Sequence, residues 1–291
     1  MKVIKDYQNN MQVIKKIDNL RVILGKYRKI GKRIALVPTM GYFHAGHLSL
    51  IDAIRKKADI VVLSLFVNPM QFGPGEDLVR YPRDFERDER LARERGADII
   101  FYPEACDMYT ELFSTYVVTD QLSEVLCGKS RPVHFKGVTT VVAKLFNIVQ
   151  PDVAVFGRKD VQQAIIIQRM VADLNFPIEI IVVPIVREPD GLAMSSRNIY
   201  LSENERKQAP VIQAALQNAL ETVKNGETSA EKIRQLVQHK IESAALARIE
   251  YIEVIRERDL QPVDRIEPGT FIAVAVWFGK TRLIDNLGLL I

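Results

Sequence analysis

Short apolar runs alternate with segments of helical periodicity through the first two-thirds of the chain. The runs are rich in Val, Ile and Leu with little interruption, as in strands that are covered on both faces of a sheet. Between the runs, apolar residues recur at helical spacing, for example Leu48, Ile51 and Ile54. The alternation predicts an α/β fold with a doubly wound parallel sheet. The predicted strands are residues 33–40, 59–67, 98–101, 152–157 and 177–186, and the predicted helices begin near residue 47 or span residues 84–95, 138–149 and 161–174.

The pattern changes near residue 187, within the turn-rich stretch REPDG. Ser202 and Glu205 form a capping-box signature, which opens a long predicted helix that ends at about residue 225. A second helix and three short strands follow, a succession typical of a small α+β domain. These later elements are predicted at residues 229–246, 249–255, 270–278 and 282–286. The sequence therefore predicts a Rossmann-like domain and a smaller C-terminal α+β domain, at residues 1–186 and 187–291.

Composition narrows the classes of protein that the chain can belong to. Its 291 residues are 47% apolar and 26% charged, with a net charge of +4, which is the mix of a globular protein with no strong bias towards nucleic acid. No apolar run has the length of a membrane span, and the opening MKVIKDYQNN lacks the apolar core of a signal peptide. Two cysteines and four histidines favour neither a disulfide framework nor a zinc site. We therefore expect a cytoplasmic protein that binds neither nucleic acid nor membrane.

The sharpest chemical feature is the segment PTMGYFHAGH, between a predicted strand and a predicted helix. Open α/β sheets bind ligands where their strands end, and a helix N-terminus there offers free N–H groups to phosphate. His44 and His47 are one helical turn apart, while Gly41 and Gly46 allow a ligand to approach the backbone closely. Two imidazoles beside a triphosphate can donate hydrogen bonds as charge builds on the α-phosphate. The segment therefore predicts a nucleotide site.

Two weaker motifs support the same interpretation. The turn GRKD follows a predicted strand, where Lys159 could hold a phosphate and Asp160 could accept from a ribose hydroxyl. The stretch MSSR ends in Arg197 and has the hydroxyls and guanidinium of a loop that closes over phosphates. Alone, GRKD is better explained as a solvated turn, and MSSR alone is also a weak signal. Together with HAGH, and in this order on one α/β frame, they indicate a nucleotide-dependent enzyme.

The HAGH and MSSR segments resemble the HIGH and KMSKS signatures of the adenylyl-transferring superfamily, which includes class I aminoacyl-tRNA synthetases and small nucleotidylyltransferases. Longer blocks resemble one family within it, the pantoate–β-alanine ligases. The resemblance extends from about Val3 to Asn286, essentially the whole chain. Its blocks are VPTMGYFHAGHLSLI, FVNPMQFGPGEDLVRYPRD, HFKGVTTVVAKLFNIVQPDVAVFGRKDVQQ and PIVREPDGLAMSSRNIYLS.

This resemblance implies an ATP-dependent ligase of pantothenate and coenzyme A biosynthesis. Such an enzyme activates (R)-pantoate with ATP to pantoyl adenylate, releasing pyrophosphate, and β-alanine then displaces AMP. The chemistry needs no enzyme nucleophile, which agrees with the lack of an obvious Ser/His/Asp or Cys/His set. The resemblance also implies Mg²⁺ with the ATP, a homodimer, and an N-terminal domain that binds ATP and pantoate. The MSSR loop lies just past the predicted domain boundary, so we expect the C-terminal domain to act as a lid that closes the site over ATP.

The same resemblance assigns roles residue by residue. It places His44, His47, Lys159 and Arg197 in catalysis, with His47 mainly a hydrogen-bond donor to the transition state. Gln71 and Gln163 match the glutamines that bind pantoate, and neutral amides can bind its hydroxyl and carboxylate groups without a fixed charge. The implied ATP contacts are Met40, Gly41, His44, Gly46, His47, Gly157, Arg158, Lys159, Asp160, Val186 through its backbone, Met194, Ser195, Ser196 and Arg197.

The chain departs from the family pattern at a few positions. Val133 stands where a Gly is usual, Arg158 adds a charge beside the expected phosphate site, and Tyr42 with Phe43 is bulkier than usual. Two other hypotheses stay open on the sequence alone. One is a different adenylyl- or cytidylyltransferase on the same frame, against which the blocks around Gln71 and Gln163 speak. The other is an RNA-binding or regulatory module, against which the weak net charge speaks.

Overall fold

The computed structural model describes residues 11–290, and this part of the chain forms two compact units. The first holds the chain up to Ser123 together with Arg131–Gly157 and Ile166–Val183. The second holds Glu124–Ser130, Arg158–Ile165 and the chain from Pro184 onward. The segment MKVIKDYQNN, including Val3 where the resemblance begins, lies outside the described residues.

The first unit is built on a parallel sheet. Within residues 11–290 the sheet has six strands in the order β1-β4-β3-β2-β5-β6, and each pairing between neighbours is parallel. Strand order therefore reverses beside β2, as in a doubly wound sheet, and the predicted fold class is confirmed. The strands are β1 (Gln12–Ile14), β2 (Ile34–Thr39), β3 (Ile60–Leu65), β4 (Ile99–Phe101), β5 (Val153–Gly157) and β6 (Glu179–Val183).

Helices pack on the central strands and make their apolar runs fully buried. In β2 the side chains from Ile34 to Val37 are 0% exposed, so the uninterrupted apolar pattern reflects burial on both faces. The helices are α1 (Ile17–Lys29), α2 (Ala45–Arg55), α3 (Phe85–Glu94), α4 (Ala105–Met108), α5 (Cys127–Ser130), α6 (His134–Val149), α7 (Val161–Asp173), α8 (Glu203–Gln208), α9 (Val211–Lys224) and α10 (Ala230–Glu242).

The second unit is a small α+β arrangement, as predicted. Its antiparallel strands β7 (Ala247–Arg256), β8 (Thr270–Phe278) and β9 (Thr281–Leu290) lie in that order. One face packs against α9 and α10 around a buried apolar cluster that includes Leu216, Val237 and Val274. Within residues 11–290, no helix combines the length and the hydrophobicity of a membrane span.

The prediction of one long helix from residue 202 is wrong in one respect. The capping box of Ser202 and Glu205 forms as expected, but the helix stops after Gln208 and a new one begins at Val211. Pro210 lies at the N-cap of this second helix. Proline has no N–H to continue the first helix, and its ring clashes with the carbonyl four residues earlier, so the chain restarts there.

A buried polar cluster ties helix α5 to the sheet of the second unit. Arg282 on β9 forms a two-pronged ion pair with Glu250 on β7, at 2.8 and 2.9 Å. The indole N–H of Trp277 also donates to Glu250, at 2.6 Å. On α5, the Cys127 thiol lies 3.2 Å from the hydroxyl of Tyr251 and contacts the Arg282 guanidinium. The cluster explains why residues 124–130 belong to the second unit.

Glu250 is strongly favoured as a charged group in this cluster. Burial acts to raise its pKa, but hydrogen bonds from Arg282, Ser130 and Trp277, with the charge of Arg282, outweigh burial and hold the pKa at about 2. The ordinary value is 4.5, so the stabilisation from this carboxylate is present above about pH 4.5 and is lost as the pH falls towards 2.

We expect Glu250→Gln to lower the free energy of unfolding by about 1–3 kcal/mol at pH 7, because Arg282 loses its buried partner. Urea unfolding of the wild type and the variant at pH 7 and pH 3 measures the difference, which narrows at pH 3. Glu203→Gln is the control, since Glu203 is 82% exposed in its pair with Lys207 and contributes little. A difference of equal size at both pH values would contradict the assigned pKa.

Candidate functional site

The loop after β2 has a tight, left-handed backbone. Gly41 has φ +89° and Tyr42 has φ +55°, a region that costs free energy for a residue with a Cβ. Asp88 on α3 holds this loop, because its carboxylate accepts the N–H of Tyr42 at 2.6 Å and that of Phe43 at 2.7 Å. A Cβ on Gly41 would lie 2.9 Å from the Asp88 carboxylate. The glycine is therefore needed both for its conformation and for this close approach.

The departures at Tyr42 and Phe43 have a structural explanation. Phe43 is 1% exposed and belongs to the core of the first unit. The Arg87 guanidinium lies 5.2 Å from the centre of the Tyr42 ring, within the range of a cation–π contact. Burial raises the pKa of the Asp88 carboxyl, and the two amide hydrogen bonds partly offset that effect. Both bulky residues thus help to fix the loop on α3.

His44 and His47 begin helix α2 and are locked to its backbone. His44 is the N-cap residue, and its Nδ1 accepts the N–H of Gly46 at 3.1 Å. The Nδ1 of His47 accepts the N–H of His44 at 3.4 Å, which completes a capping box, and the two ring centres lie 4.1 Å apart. In a neutral ring that accepts at Nδ1, the proton is on Nε2. These contacts favour the Nε2–H tautomer for the neutral form of both imidazoles.

Gln71 lies in a 3₁₀ turn (Pro69–Gln71) after β3 and is 8% exposed. Its side-chain oxygen accepts from the amide of Asn68 at 3.2 Å, and its Nε2 lies 2.9 Å from the sulfur of Met40. The structure thus brings two of the predicted site residues, Met40 and Gln71, into contact at the ends of adjacent strands.

Helix α6 and the residues just before it support the Gln71 turn. The backbone carbonyl of Gln71 lies 2.9 Å from Nδ1 of His134 and accepts from Arg131 at 3.3 Å. Arg131 also forms an ion pair with Glu76. A Cβ on Gly137 would lie 2.3 Å from the carbonyl oxygen of Met70, so only glycine lets the helix and the turn approach this closely. The backbone of the turn is thus held by side chains at the start of α6 and just before it, with His134 in the role of a loop hydrogen-bonding residue.

In the second unit, the predicted phosphate residues lie in a 3₁₀ turn (Arg158–Asp160). The Lys159 side chain is 22% exposed, with its ammonium 3.5 Å from the Asp160 carboxylate. Arg158 instead forms a two-pronged ion pair with Glu257, at 2.9 and 3.3 Å. The charge that Arg158 adds relative to the family pattern is therefore neutralised by a carboxylate of its own unit, and Lys159 is the better candidate to bind phosphate.

The two glutamines that open α7 have different surroundings. Gln162 is 4% exposed, and its amide accepts from the N–H of Cys127 at 3.0 Å and donates to the carbonyl of Val125 at 2.8 Å. Gln163 is half-buried. The side chain of Gln162 thus holds residues 124–130, and Gln163, the residue that the resemblance matches to pantoate, lies beside it on α7.

The MSSR segment follows a tight hairpin in the second unit. The N–H of Met194 donates to the carbonyl of Val186 at 3.0 Å, so these two predicted residues are paired. Ser195 is the N-cap of a 3₁₀ turn (Ser196–Tyr200), and its hydroxyl accepts the N–H of Arg197 at 3.2 Å. The segment has a defined backbone that presents Arg197 from a capped turn.

The predicted residues are therefore distributed over both units. The first unit places Gly157 at the end of β5 and Gly46 in the first turn of α2. Those in the first unit are Met40, Gly41, His44, Gly46, His47, Gln71 and Gly157, and those in the second are Arg158, Lys159, Asp160, Gln163, Val186, Met194, Ser195, Ser196 and Arg197.

A doubly wound sheet with two imidazoles at the helix N-terminus that follows its central strand is typical of α/β proteins that bind an anionic ligand at this position. Comparisons with known proteins identify the family to which the chain belongs. The model of the pantoate-beta-alanine ligase family matches residues 12–288, and the chain belongs to this family of enzymes. The predicted resemblance is confirmed, and the comparisons do not support the two other hypotheses.

Relatives agree along almost the whole length. A pantothenate synthetase of Geobacillus kaustophilus is 53% identical over 277 residues, which cover 95% of this chain and 92% of that protein. The crystal structure of pantothenate synthetase from Thermus thermophilus superposes with a TM-score of 0.92 at 43% identity, covering 97% of this chain and 100% of that one. A pantoate-beta-alanine ligase from Francisella tularensis, complexed with beta-gamma ATP and β-alanine, has a TM-score of 0.79 at 30% identity, covering 96% and 98%.

We expect Asp88→Asn to lower the free energy of unfolding by about 1–3 kcal/mol, because the amide has one oxygen for two buried N–H donors and turns its NH₂ towards one of them. Hydrogen exchange at the Tyr42 and Phe43 amides is expected to accelerate. Glu86→Gln, exposed on the same helix, is the control and is expected to change stability by less than about 0.5 kcal/mol. Unchanged exchange at both amides in Asp88→Asn would refute this role of Asp88.

Proposed function

We propose that the chain condenses (R)-pantoate with β-alanine in an ATP-dependent reaction that proceeds through pantoyl adenylate and releases pyrophosphate and AMP. Family membership over residues 12–288 supports the two organic substrates. The ligands of the Francisella tularensis ligase support ATP and β-alanine. The observation that carries the adenylate route is the position of His44 and His47 at the N-terminus of α2, where Nδ1 of each ring accepts a backbone N–H.

A carboxylate is a poor electrophile, so amide formation requires that one oxygen first become part of a good leaving group. The pantoate carboxylate attacks the α-phosphorus of ATP, and the bond to pyrophosphate breaks. The amine of β-alanine then attacks the acyl carbon, and AMP leaves with the former carboxylate oxygen. No covalent enzyme intermediate is required, so the protein contributes orientation and the stabilisation of charge on phosphate.

His44 and His47 are suited to stabilise that charge. Each ring accepts a backbone N–H at Nδ1, which fixes its Nε2–H as the donor. The positive end of the α2 dipole adds to the field at the same point. A donor that is already oriented costs no reorganisation when charge develops.

The remaining ATP contacts belong to the turns. We assign Lys159 and Arg197 to the phosphates as cationic hydrogen-bond donors, and Asp160 to a ribose hydroxyl. Hydroxyl and backbone groups complete the nucleotide contacts. These are Met40, Gly41, Gly46, Gly157, Arg158, Val186, Met194, Ser195 and Ser196.

Gln71 and Gln163 are assigned to pantoate. A neutral amide can donate to the pantoate carboxylate and accept from a pantoate hydroxyl. Because the amide has no positive charge, it does not stabilise the negative charge of the attacking carboxylate as strongly as a cationic side chain would. The contact with His134 holds Gln71 by its backbone carbonyl. Asn68 and Met40 contact its side-chain amide and determine the direction of that side chain. This arrangement fixes the amide before substrate arrives.

Other parts of the proposal concern the assembly and its surroundings. We propose a homodimer in the cytoplasm, with residues 1–186 as the catalytic domain and residues 187–291 as a lid. Mg²⁺ is proposed as an ion that ATP brings through its own phosphates. Among residues 11–290, no three His, Cys, Asp or Glu side chains are grouped to hold a metal ion, so we assign no step to a protein-bound metal.

Pyrophosphate release tests the proposed reaction. With ATP, Mg²⁺ and D-pantoate alone, we expect about one equivalent of pyrophosphate per active site, because the adenylate stays bound until an amine attacks it. Addition of β-alanine is expected to give continuous turnover to AMP and pantothenate. An enzyme that binds ATP but releases no pyrophosphate with pantoate would refute the proposal.

We expect His44→Ala and His47→Ala each to lower kcat for pantothenate formation by about 10²–10⁴-fold, because each loses a donor to the charge on the α-phosphate. His47→Gln can still donate from about the position of imidazole Nε2, so it is expected to retain more activity than His47→Ala. The control is His239→Ala, exposed on α10. Near-normal kcat in both alanine variants would rule out the assigned role.

A further inference from the structure

Two adjacent polar side chains on strand β9 are buried and have no part in the site described so far. Asp285 is 3% exposed and Asn286 is 2% exposed, within the RLIDN segment predicted only as a strand. Burial of a polar side chain is costly unless hydrogen bonds offset the loss of water. The partners of these two residues therefore show what they contribute.

Asn286 bonds to the turn that contains Lys159. Its Nδ2 donates to the carbonyl of Arg158 at 2.9 Å and to the carbonyl of Lys159 at 3.1 Å. These are consecutive carbonyls of the 3₁₀ turn, so both protons of one amide fix the backbone on which the Lys159 side chain is mounted. The three residues belong to the same unit.

The surroundings of the Asn286 side-chain oxygen show that the two bonds from Nδ2 determine the orientation of the amide group. Its Oδ1 is buried and has no hydrogen-bond partner within the described residues. A reversed amide would turn the oxygen towards two carbonyl oxygens, which repel it, so the unpaired oxygen is the lesser cost. An apolar residue would avoid that cost, and the polar one is explained by the bonds that it makes to the turn.

Asp285, next to Asn286 on β9, holds the hairpin that joins Val186 to Met194. Its carboxylate forms a two-pronged ion pair with Arg187, at 2.6 and 3.0 Å, and Arg187 also donates to the carbonyl of Gly191 at 3.1 Å. Arg187 follows Val186 in the hairpin that leads to Met194. Strand β9 therefore anchors the hairpin and the Lys159 turn through consecutive side chains.

We propose that Asn286 is a positioning residue for ATP, which holds the backbone at residues 158 and 159 so that the Lys159 ammonium meets the phosphates. The role rests on the proposed function, which assigns Lys159 to ATP. Lysine has a long, flexible side chain, so a fixed backbone limits the volume that its ammonium explores. The pair of Arg158 with Glu257 fixes the preceding side chain in the same turn.

The decisive substitution is Asn286→Asp, which has nearly the same shape but turns a carboxylate oxygen towards the two carbonyls. We expect kcat/KM for ATP to fall by about tenfold or more, and ATP affinity in a calorimetric titration to fall in parallel. Asn286→Ser, whose hydroxyl can donate to one carbonyl, is expected to lose less and also serves if the aspartate variant does not fold. Leu283→Ala is the matched control, because it removes a buried side chain on the same strand and destabilises the unit without touching the turn.

A double-mutant cycle separates positioning from general stability. In a Lys159→Ala background we expect Asn286→Asp or Asn286→Ser to change kcat/KM for ATP by less than about twofold, because the group that Asn286 positions is gone. Three outcomes would overturn the assignment. One is an undiminished effect of the Asn286 substitutions on kcat/KM in the Lys159→Ala background. The others are an equal loss of kcat/KM in Leu283→Ala at a similar loss of stability, and normal ATP binding in the folded Asn286 variants. If the wild type forms pantothenate from ATP but the Asn286 variants lose neither kcat/KM nor ATP affinity, only the role of Asn286 is refuted. A wild type that neither binds ATP nor forms pantothenate refutes the proposed function as well.

Discussion

The buried carboxylate of Asp88 accepts two consecutive backbone N–H groups from the loop that leaves the central strand of the first unit. The loop turns through two residues in the left-handed region, one of them Tyr42, and such a backbone needs support from outside. Because the loop is held there, His44 arrives as the N-cap of α2 and His47 completes the capping box. The position of both imidazole rings therefore depends on a carboxylate that is remote from them in sequence.

The same arrangement recurs at two other turns that carry predicted site residues. Turns cannot pair all their own backbone groups, so side chains from regular elements complete them. His134 at the start of α6 meets the carbonyl of Gln71, and Asn286 on β9 donates to the carbonyl of Lys159. In each case a residue on a helix or strand fixes backbone, and the chemistry-bearing side chain is carried by the fixed backbone. Rigid elements thus determine the position of groups that the turns supply.

This division explains what could be predicted from the sequence. The motif residues lie close to the features that reveal them, as His44 and His47 follow a buried strand, and the strand–helix alternation is a local signal. The supporting residues are distant: Tyr42 and Asp88 are 46 positions apart, and Lys159 and Asn286 are 127 apart. No local pattern announces such pairs.

Other differences between prediction and structure have simpler causes. The predicted strand at residues 177–186 ends at Val183, because Pro184 cannot donate to a strand ladder. The prediction also omits α1, although the buried Leu20 and Leu24 have helical spacing, and places the start of α6 one turn too late. The break at Pro210 could have been predicted from the sequence, since proline inside a helical pattern is a local signal.

In the proposed reaction, which needs no enzyme nucleophile, these supporting contacts are central to catalysis. Where a protein supplies a nucleophile, the loss of that one group removes most of the activity. Where it supplies only orientation and hydrogen-bond donors, the rate depends on how well each donor is directed, and displacements of about 1 Å are costly. Asp88 and Asn286 touch no substrate in this scheme, yet they set the backbone of the residues that do. The constraint on such positions is therefore on hydrogen-bond geometry as well as on burial, which accounts for polar side chains at places where an apolar core residue would otherwise fit.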